Sequence, residues 1–132
     1  MKTRTVISAV FGASTIYDGV LGLAFLFAAP PLFEWCGVTP PNHFGYVQFP
    51  SALLVIFALM FAAIARDPMA NRNLMPYGIL LKLAYSGIVF YYWFTIGIPT
   101  MWKPFAFCDL VFMALFAWAY VSTTVKDGKD VA

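Results

Sequence analysis

Four apolar stretches divide the chain, and each is about as long as a helix that crosses a lipid bilayer. A spanning helix needs about 20 mostly apolar residues. The stretches cover residues 6–29, 48–65, 74–98 and 104–124. Because lipid offers no hydrogen-bond partner to a peptide group, a segment that spans it alone must be helical. The pattern predicts an all-α integral membrane four-helix bundle, with residues 1–132 forming a single transmembrane domain.

The composition agrees with a membrane location. Charged residues make up 11% of the chain, whereas an ordinary soluble domain has about 25%. The net charge of +2 is too small and too scattered for a nucleic-acid partner. We therefore predict that the lipid bilayer surrounds the chain, and we expect no nucleic acid among its partners.

Prolines stand at nearly every boundary of the apolar stretches. They include Pro30, Pro31, Pro68, Pro99 and Pro104. Proline lacks an N–H and is best tolerated in the first turn of a helix or beyond its end. The first stretch is longer than a signal-peptide core of about 7–15 residues and is interrupted by Asp18. We expect it to be a retained span.

The basic residues predict an orientation. Cytoplasmic segments of membrane proteins are enriched in lysine and arginine. One side of a four-span protein would hold Lys2, Arg4, Arg66, Arg72, Lys126 and Lys129. The other side would hold only Lys103, so both termini are predicted to be cytoplasmic, in a bacterial inner membrane. The long outer loop between the first two spans contains Trp35 among other apolar residues, which favours a short interfacial helix or lid.

Three charged residues interrupt the apolar stretches, namely Asp18, Lys82 and Asp109. A charge in hydrocarbon costs at least about 2.5–3.5 kcal/mol, so such residues usually face a bundle interior and mark function. At a rise of about 1.5 Å per residue, Asp18 and Lys82 lie deep enough to pair, with Asp109 further out. A buried carboxyl without a cationic partner favours its neutral form. We therefore expect Asp109 to titrate, with the hydroxyl of Tyr91 or Tyr92 as its partner.

Small and polar side chains share helix faces with these charges. In the first stretch Thr15, Gly19 and Gly22 recur with Asp18 at intervals of three and four. Small residues let helices approach closely in lipid. In the third stretch, tyrosines follow Lys82 along one face. The candidate ligand-binding or ion-coupling residues are Asp18, Lys82, Asp109, Tyr85, Tyr92 and Thr15.

A purely structural role stays open for each charge. An Asp18–Lys82 pair would fix the register of two helices without further function. Lys82 has a long apolar stem that would also let its ammonium snorkel to the cytoplasmic interface. Asp109 would contact the outer interface through water. These alternatives differ in whether the three side chains meet.

The sequence gives little sign of a metal or an enzyme. Glu34, Cys36 and His43 are metal-ligand types in the first outer loop, but their spacing matches no zinc motif. The chain has no glycine-rich phosphate loop, nucleophile elbow or HExxH helix. No catalytic residue and no cofactor are therefore assigned, and a disulfide between Cys36 and Cys108 is not expected.

The chain resembles the DoxX-like group of small bacterial membrane proteins. The features that carry the likeness are Gly19 and Gly22 in the first span, its exit at Pro30 and Pro31, and the short turn at 66–72. The resemblance implies a four-helix membrane protein with cytoplasmic ends. Some members resemble subunits of membrane oxidoreductase assemblies that deal with quinones or thiols.

Two functions from different classes follow. The leading prediction is a membrane protein that binds a small lipophilic ligand, quinone-like or lipid-like, or serves as an accessory subunit of a membrane complex. The alternative is a small proton- or ion-coupled transporter, as a homo-oligomer, with Asp18 and Asp109 as titrating sites. A membrane enzyme that uses the outer loop ranks last.

Overall fold

The computed structural model describes residues 2–124, which are mostly helical and contain no strand within that range. Its helices are α1 (Lys2–Phe27), α2 (Ala29–Trp35), α3 (Gly45–Arg66), α4 (Met75–Phe94) and α5 (Lys103–Ser122). Short 3-10 turns, Arg72–Leu74 and Thr100–Trp102, lead into α4 and α5. Four of the helical segments are long and apolar enough to cross a membrane. The prediction of an all-α chain with four helices long and apolar enough to span a membrane is confirmed; Lys126 and Lys129 lie outside the described residues.

The four long helices pack as two pairs. α1 lies along α3, and α4 lies along α5, while α1 also contacts α5 and holds the pairs together. α3 and α4 touch very little. We call the side where α1 begins and α5 ends the terminal side, and the opposite side the α2 side. The weak contact between α3 and α4 leaves one face of the bundle incompletely closed.

Small residues allow the close packing of α1 on α3, as their spacing predicts. A Cβ atom added at Gly22 would lie 2.8 Å from the backbone oxygen of Ser51 and 3.0 Å from the side chain of Leu54. At Gly19 the same atom would lie 3.6 Å from the Cβ of Ala58. Only glycine fits at the first position without movement of α3. The stripe of small residues therefore joins two helices.

The terminal side is filled by apolar side chains that we call the phenylalanine core. It consists of the buried residues Ile7, Phe11, Phe61, Ile64, Met75, Phe116 and Ala119. The rings of Phe11 and Phe116 stack with 4.4 Å between centroids. A Cβ atom at Gly78 would lie 2.7 Å from the ring of Phe61. At this level of the bundle, the Phe61 ring on α3 leaves no room for a methyl group at Gly78 on α4.

Arg72 fastens the end of α5 to the start of α4. Its Nη2 donates to the carbonyl of Tyr120 at 2.9 Å, and its Nε donates to the hydroxyl of Thr123 at 3.1 Å. The guanidinium also lies 3.8 Å from the centroid of the Tyr120 ring. A cation at a helix C-terminus satisfies free carbonyls and opposes the negative end of the helix dipole.

Two predicted boundaries need correction. The first apolar stretch divides at Ala28 into α1 and the short α2, which confirms a short helix between the first two long helices. The hydropathy pattern predicts that the third stretch reaches residue 98, but α4 ends at Phe94. Gly97 has a φ of 89°, a left-handed conformation that breaks the helix. Because the residues around Gly97 are apolar, hydropathy alone does not detect this end.

Candidate functional site

Three charged side chains from three helices meet inside the bundle. The Nζ of Lys82 on α4 lies 2.7 Å from the Oδ2 of Asp18 on α1. It also lies 3.2 Å from the Oδ1 of Asp109 on α5. Lys82, Asp18 and Asp109 are 0%, 1% and 6% exposed, respectively. One buried lysine thus bridges two buried carboxylates, and we call the three residues the charged triad.

Neighbouring side chains hold the triad in place. The hydroxyl of Ser14, one turn before Asp18 on α1, donates to the same Oδ2 at 3.1 Å. The ammonium of Lys82 lies 5.1 Å from the centroid of the Tyr17 ring and 5.2 Å from that of Phe112. Cations are attracted to the faces of aromatic rings at such distances. The lysine is therefore surrounded by opposite charge and by π faces.

The positions of these side chains show which of the three charged residues meet, a question that the sequence leaves open. The prediction that Asp18 and Lys82 pair is confirmed. Snorkelling of Lys82 to an interface is wrong, because its ammonium is buried on both carboxylates. The expectation that Asp109 lacks a cationic partner is also wrong. Tyr91 and Tyr92, its suggested partners, are largely exposed and pack against each other.

A cavity of about 500 Å³ opens on the α2 side of the triad. Its walls are mostly apolar and include Leu21, Leu54 and Phe105. Asp18 and Asp109 also line it, and Lys82 does not. The lysine thus lies behind the carboxylates as seen from the cavity. The result is an apolar chamber with two acidic groups on its wall.

The cavity is open between α3 and α4, the two helices that barely touch. Leu53 on α3 and Ile88 on α4 both line it, and both side chains are exposed on the surface of the bundle. On the terminal side, the contact of Phe61 with Gly78 closes the same gap. For a bundle that spans a membrane, an opening between exposed apolar side chains faces lipid.

Each carboxylate of the triad has one oxygen that accepts no hydrogen bond from the described residues. Asp18 accepts hydrogen bonds only at Oδ2, and Asp109 accepts only at Oδ1, counting donors within residues 2–124. Asp18 Oδ1 and Asp109 Oδ2 are therefore free acceptors on residues that line the cavity. Among the described residues, the hydroxyl of Tyr17, which also lines the cavity, is the buried side-chain polar atom without a hydrogen bond. The two carboxylate oxygens and this hydroxyl are the polar groups placed to orient a bound molecule.

The other predicted site residues separate into two groups. Tyr85 lines the cavity, and its hydroxyl donates to the carbonyl of Trp102 at 2.9 Å. Thr15 instead donates to the carbonyl of Phe11 on its own helix at 2.9 Å. Tyr92 is 41% exposed and does not line the cavity. Of these three residues, Tyr85 alone joins the charged triad around one space.

The segment between α1 and α3 does not assemble a metal site. The Nδ1 of His43 accepts a hydrogen bond from the backbone N–H of Gly45 at 2.9 Å, at the start of α3. Glu34 and Cys36 are exposed. Within residues 2–124 no group of three histidine, cysteine, aspartate or glutamate side chains could hold a metal ion. Cys36 and Cys108 are both free.

Sequence reasoning misses several aromatic residues of the site, among them Tyr17 and Trp102. Tyr17 lines the cavity and faces Lys82; its position next to Asp18 is a usable signal. Trp102 closes the α2 side of the cavity and packs on Phe25 and Phe33. Nothing in the sequence indicates this role, because it depends on how α2 folds over the bundle.

Comparison of the chain with protein-family models, curated proteins and solved structures finds no match. Function is therefore inferred from the geometry of the site.

Proposed function

We propose that this protein binds a small lipophilic molecule, quinone-like or lipid-like, in the cavity beside the charged triad. The carrying observation is a chamber of about 500 Å³ with apolar walls and two free carboxylate oxygens. Small-molecule sites are typically about 300–1,000 Å³, mostly apolar, with a few polar groups that fix orientation. The cavity has both properties.

The opening between α3 and α4 supports access from the lipid phase. A lipophilic molecule dissolved in the bilayer reaches it by lateral diffusion, past Leu53 and Ile88. The buried phenylalanine core, on the terminal side of the triad, supports binding at one end of the bundle. Binding, and not passage, is therefore the leading proposal.

The test is purification in native lipid followed by mass spectrometry of small molecules and proteins that co-purify. Ala84 lines the cavity on α4, so Ala84→Phe should fill part of it and reduce recovery of the ligand at least about fivefold. Ala114 on α5 is exposed and does not line the cavity, so Ala114→Phe is the matched control. Equal ligand recovery from both variants, or none from the wild type, would contradict the proposal.

The same preparation tests the accessory-subunit form of the proposal. A partner protein in constant proportion to this chain, with no small molecule, would support a subunit of a membrane complex. Additional copies of this chain in native mass spectra would support a homo-oligomer.

A proton- or ion-coupled transporter is the second candidate, and the triad is the observation that favours it. One lysine shared by two carboxylates can release either of them when that carboxylate gains a proton. Asp18→Asn should then abolish flux driven by a pH gradient in proteoliposomes. Unchanged flux would remove Asp18 from such a mechanism.

We also propose that both ends of the chain are cytoplasmic and that α2 lies outside, in a bacterial inner membrane. The bias of basic residues supports this orientation. In a Cys108→Ser variant, Cys36 beside α2 is the remaining thiol and is exposed. A membrane-impermeant maleimide should label it in intact spheroplasts. Labelling only after lysis would show that Cys36 lies on the cytoplasmic side, which is the opposite orientation.

A further inference from the structure

The charges around the cavity do not balance. The triad contains one ammonium and two carboxylates. Among the described residues that line the cavity, Asp18 and Asp109 are the only charged ones. The basic residue closest to the α2 side, Lys103, directs its ammonium to Trp93, with 4.7 Å to the ring centroid. With its carboxylates ionised, the chamber carries one excess negative charge.

The position of Lys82 directs this excess toward the cavity. The lysine is fully buried and absent from the lining, whereas both carboxylates reach the lining with an oxygen free. A molecule in the chamber therefore meets hydrogen-bond acceptors and negative potential before it meets the ammonium. In an apolar, poorly solvated space such a charge is costly without a partner.

We infer that the ligand of this cavity is a lipophilic amine, whose protonated nitrogen binds between Asp18 and Asp109 while its apolar body lies against the wall. This inference rests on the proposed function and narrows it to a class of ligand. The ammonium supplies both the missing positive charge and N–H donors for the two free oxygens. Charge-assisted hydrogen bonds of this kind are about twice as strong as neutral ones.

The aromatic lining fits the same ligand. Tyr17, Tyr85 and Phe105 line the cavity next to the carboxylates, and Trp102 lines it toward α2. The faces of such rings attract cations and also pack against an apolar body. A ligand ammonium at the site would thus lie among carboxylates and aromatic rings, as the ammonium of Lys82 does.

A phosphate-bearing lipid headgroup fits less well. A phosphoethanolamine has an ammonium, but its phosphate would bring another negative charge close to two carboxylates. Like charges at short range in a poorly solvated site repel strongly. The inferred ligand is therefore an amine without an attached phosphate.

A series of matched probes tests the inference on the full chain in detergent micelles. The probes are para-pentylbenzylamine, para-pentylbenzyl alcohol and para-pentylbenzoate, which share one skeleton and differ in charge. Binding is measured by equilibrium dialysis against protein-free micelles, which corrects for partition into detergent. We expect the amine to bind at least about tenfold more tightly than the alcohol, and the benzoate to bind most weakly.

Variants locate the binding. Asp109→Asn keeps the shape of the side chain and removes the excess charge, so it should lower affinity for the amine about tenfold and affinity for the alcohol less than about twofold. Thermal unfolding shows whether the variant is folded. If it is not, the probe series on the wild-type chain still tests the inference. A single-chain phosphoethanolamine should not displace the amine.

The outcomes separate the two proposals. If amine and alcohol bind equally and Ala84→Phe weakens both, the cavity binds lipophilic molecules but the inference of an amine is wrong. The inference is also wrong if the benzoate binds best or if the phosphoethanolamine displaces the amine. If no probe binds saturably to the wild type, the amine inference fails, and ligand recovery from native lipid then decides the proposed function.

Discussion

The two halves of the bundle use the same kinds of side chain to opposite effect. On the terminal side, Phe11 and Phe116 stack closely, and Phe61 fills the space next to Gly78. On the α2 side, rings such as Phe105 line a cavity of about 500 Å³. Aromatic content therefore does not distinguish the halves. The separation of α3 from α4 does, because it decides whether the rings meet each other or face a space.

The charged triad lies between these halves and belongs to both. Toward the terminal side, the ammonium of Lys82 lies 5.7 Å from the centroid of the Phe61 ring in the phenylalanine core. Toward the α2 side, Asp18 and Asp109 line the cavity. Changes in the core should therefore affect stability, and changes in the cavity should affect ligand binding. Four pairs of variants test the expected effects on stability.

The largest loss of stability is expected from Lys82→Met, which removes the shared positive charge. Two buried carboxylates would be left without a partner, at a cost of about 3–5 kcal/mol in the free energy of unfolding. Chemical unfolding in micelles measures it. Lys103→Met, at a partly exposed cation, is the control. Recovery of stability in Lys82→Met with Asp18→Asn and Asp109→Asn would confirm the cause, and no loss in Lys82→Met alone would refute it.

The next largest difference in stability is expected between truncations of an apolar side chain in the two halves. Ile64→Ala in the phenylalanine core should cost about 2 kcal/mol, the low end for such changes, because lipid is as apolar as the core and only packing is lost. Leu53→Ala at the edge of the cavity should cost less than about 0.5 kcal/mol. Equal losses in denaturant titrations would show that the cavity half is packed as tightly as the core.

Adding a methyl group to a glycine of α4 should change stability by a smaller amount, and the change should again depend on the packing around it. Gly78→Ala would place a methyl group 2.7 Å from the Phe61 ring and should cost about 1–2 kcal/mol. At Gly87, on the same helix, an added Cβ atom would meet no heavy atom within 4 Å, so Gly87→Ala should stabilise by up to about 1 kcal/mol. The melting temperatures of the two variants should move in opposite directions. A melting temperature of Gly78→Ala at or above that of the wild type would contradict tight packing at Gly78.

The smallest effect is expected at the rim of the packed half. Arg72→Gln removes charged hydrogen bonds to the end of α5 and should cost about 1 kcal/mol. Arg66→Gln, at an exposed residue in the last turn of α3, should cost a few tenths. Hydrogen exchange of the last turn of α5 should rise in the first variant only. Equal exchange in both would mean that Arg72 does not hold this end.

The sequence supports the four long helices and the Asp18–Lys82 pair, because hydropathy and helical depth are local quantities. It does not place Asp109 on the same ammonium. Depth counted along a helix axis ignores the length of a lysine stem, which lets one Nζ reach carboxylates on two other helices. The resemblance to the DoxX-like group stays a prediction.

The cavity is harder to predict from the sequence than the contacts of the charged triad. Its existence depends on the divergence of α3 and α4 after a tight contact between Phe61 and Gly78. Residues such as Leu54 and Ala84 look the same in a sequence whether they face lipid, protein or a cavity. Only the relative positions of whole helices tell these surroundings apart.

Pro50 interrupts the backbone hydrogen bonding of α3 in the wall of the cavity. It lies inside α3 and has no N–H to donate to the carbonyl of Tyr46, one turn earlier. The hydroxyl of the next residue, Ser51, donates to the carbonyl of Val47 at 2.6 Å, a side-chain bond that often accompanies a bend in a helix. Tyr46 and Pro50 both line the cavity, so the missing hydrogen bond lies in its wall. We expect the first turn of α3 to bend more easily at this point than the fully hydrogen-bonded helices of the packed half.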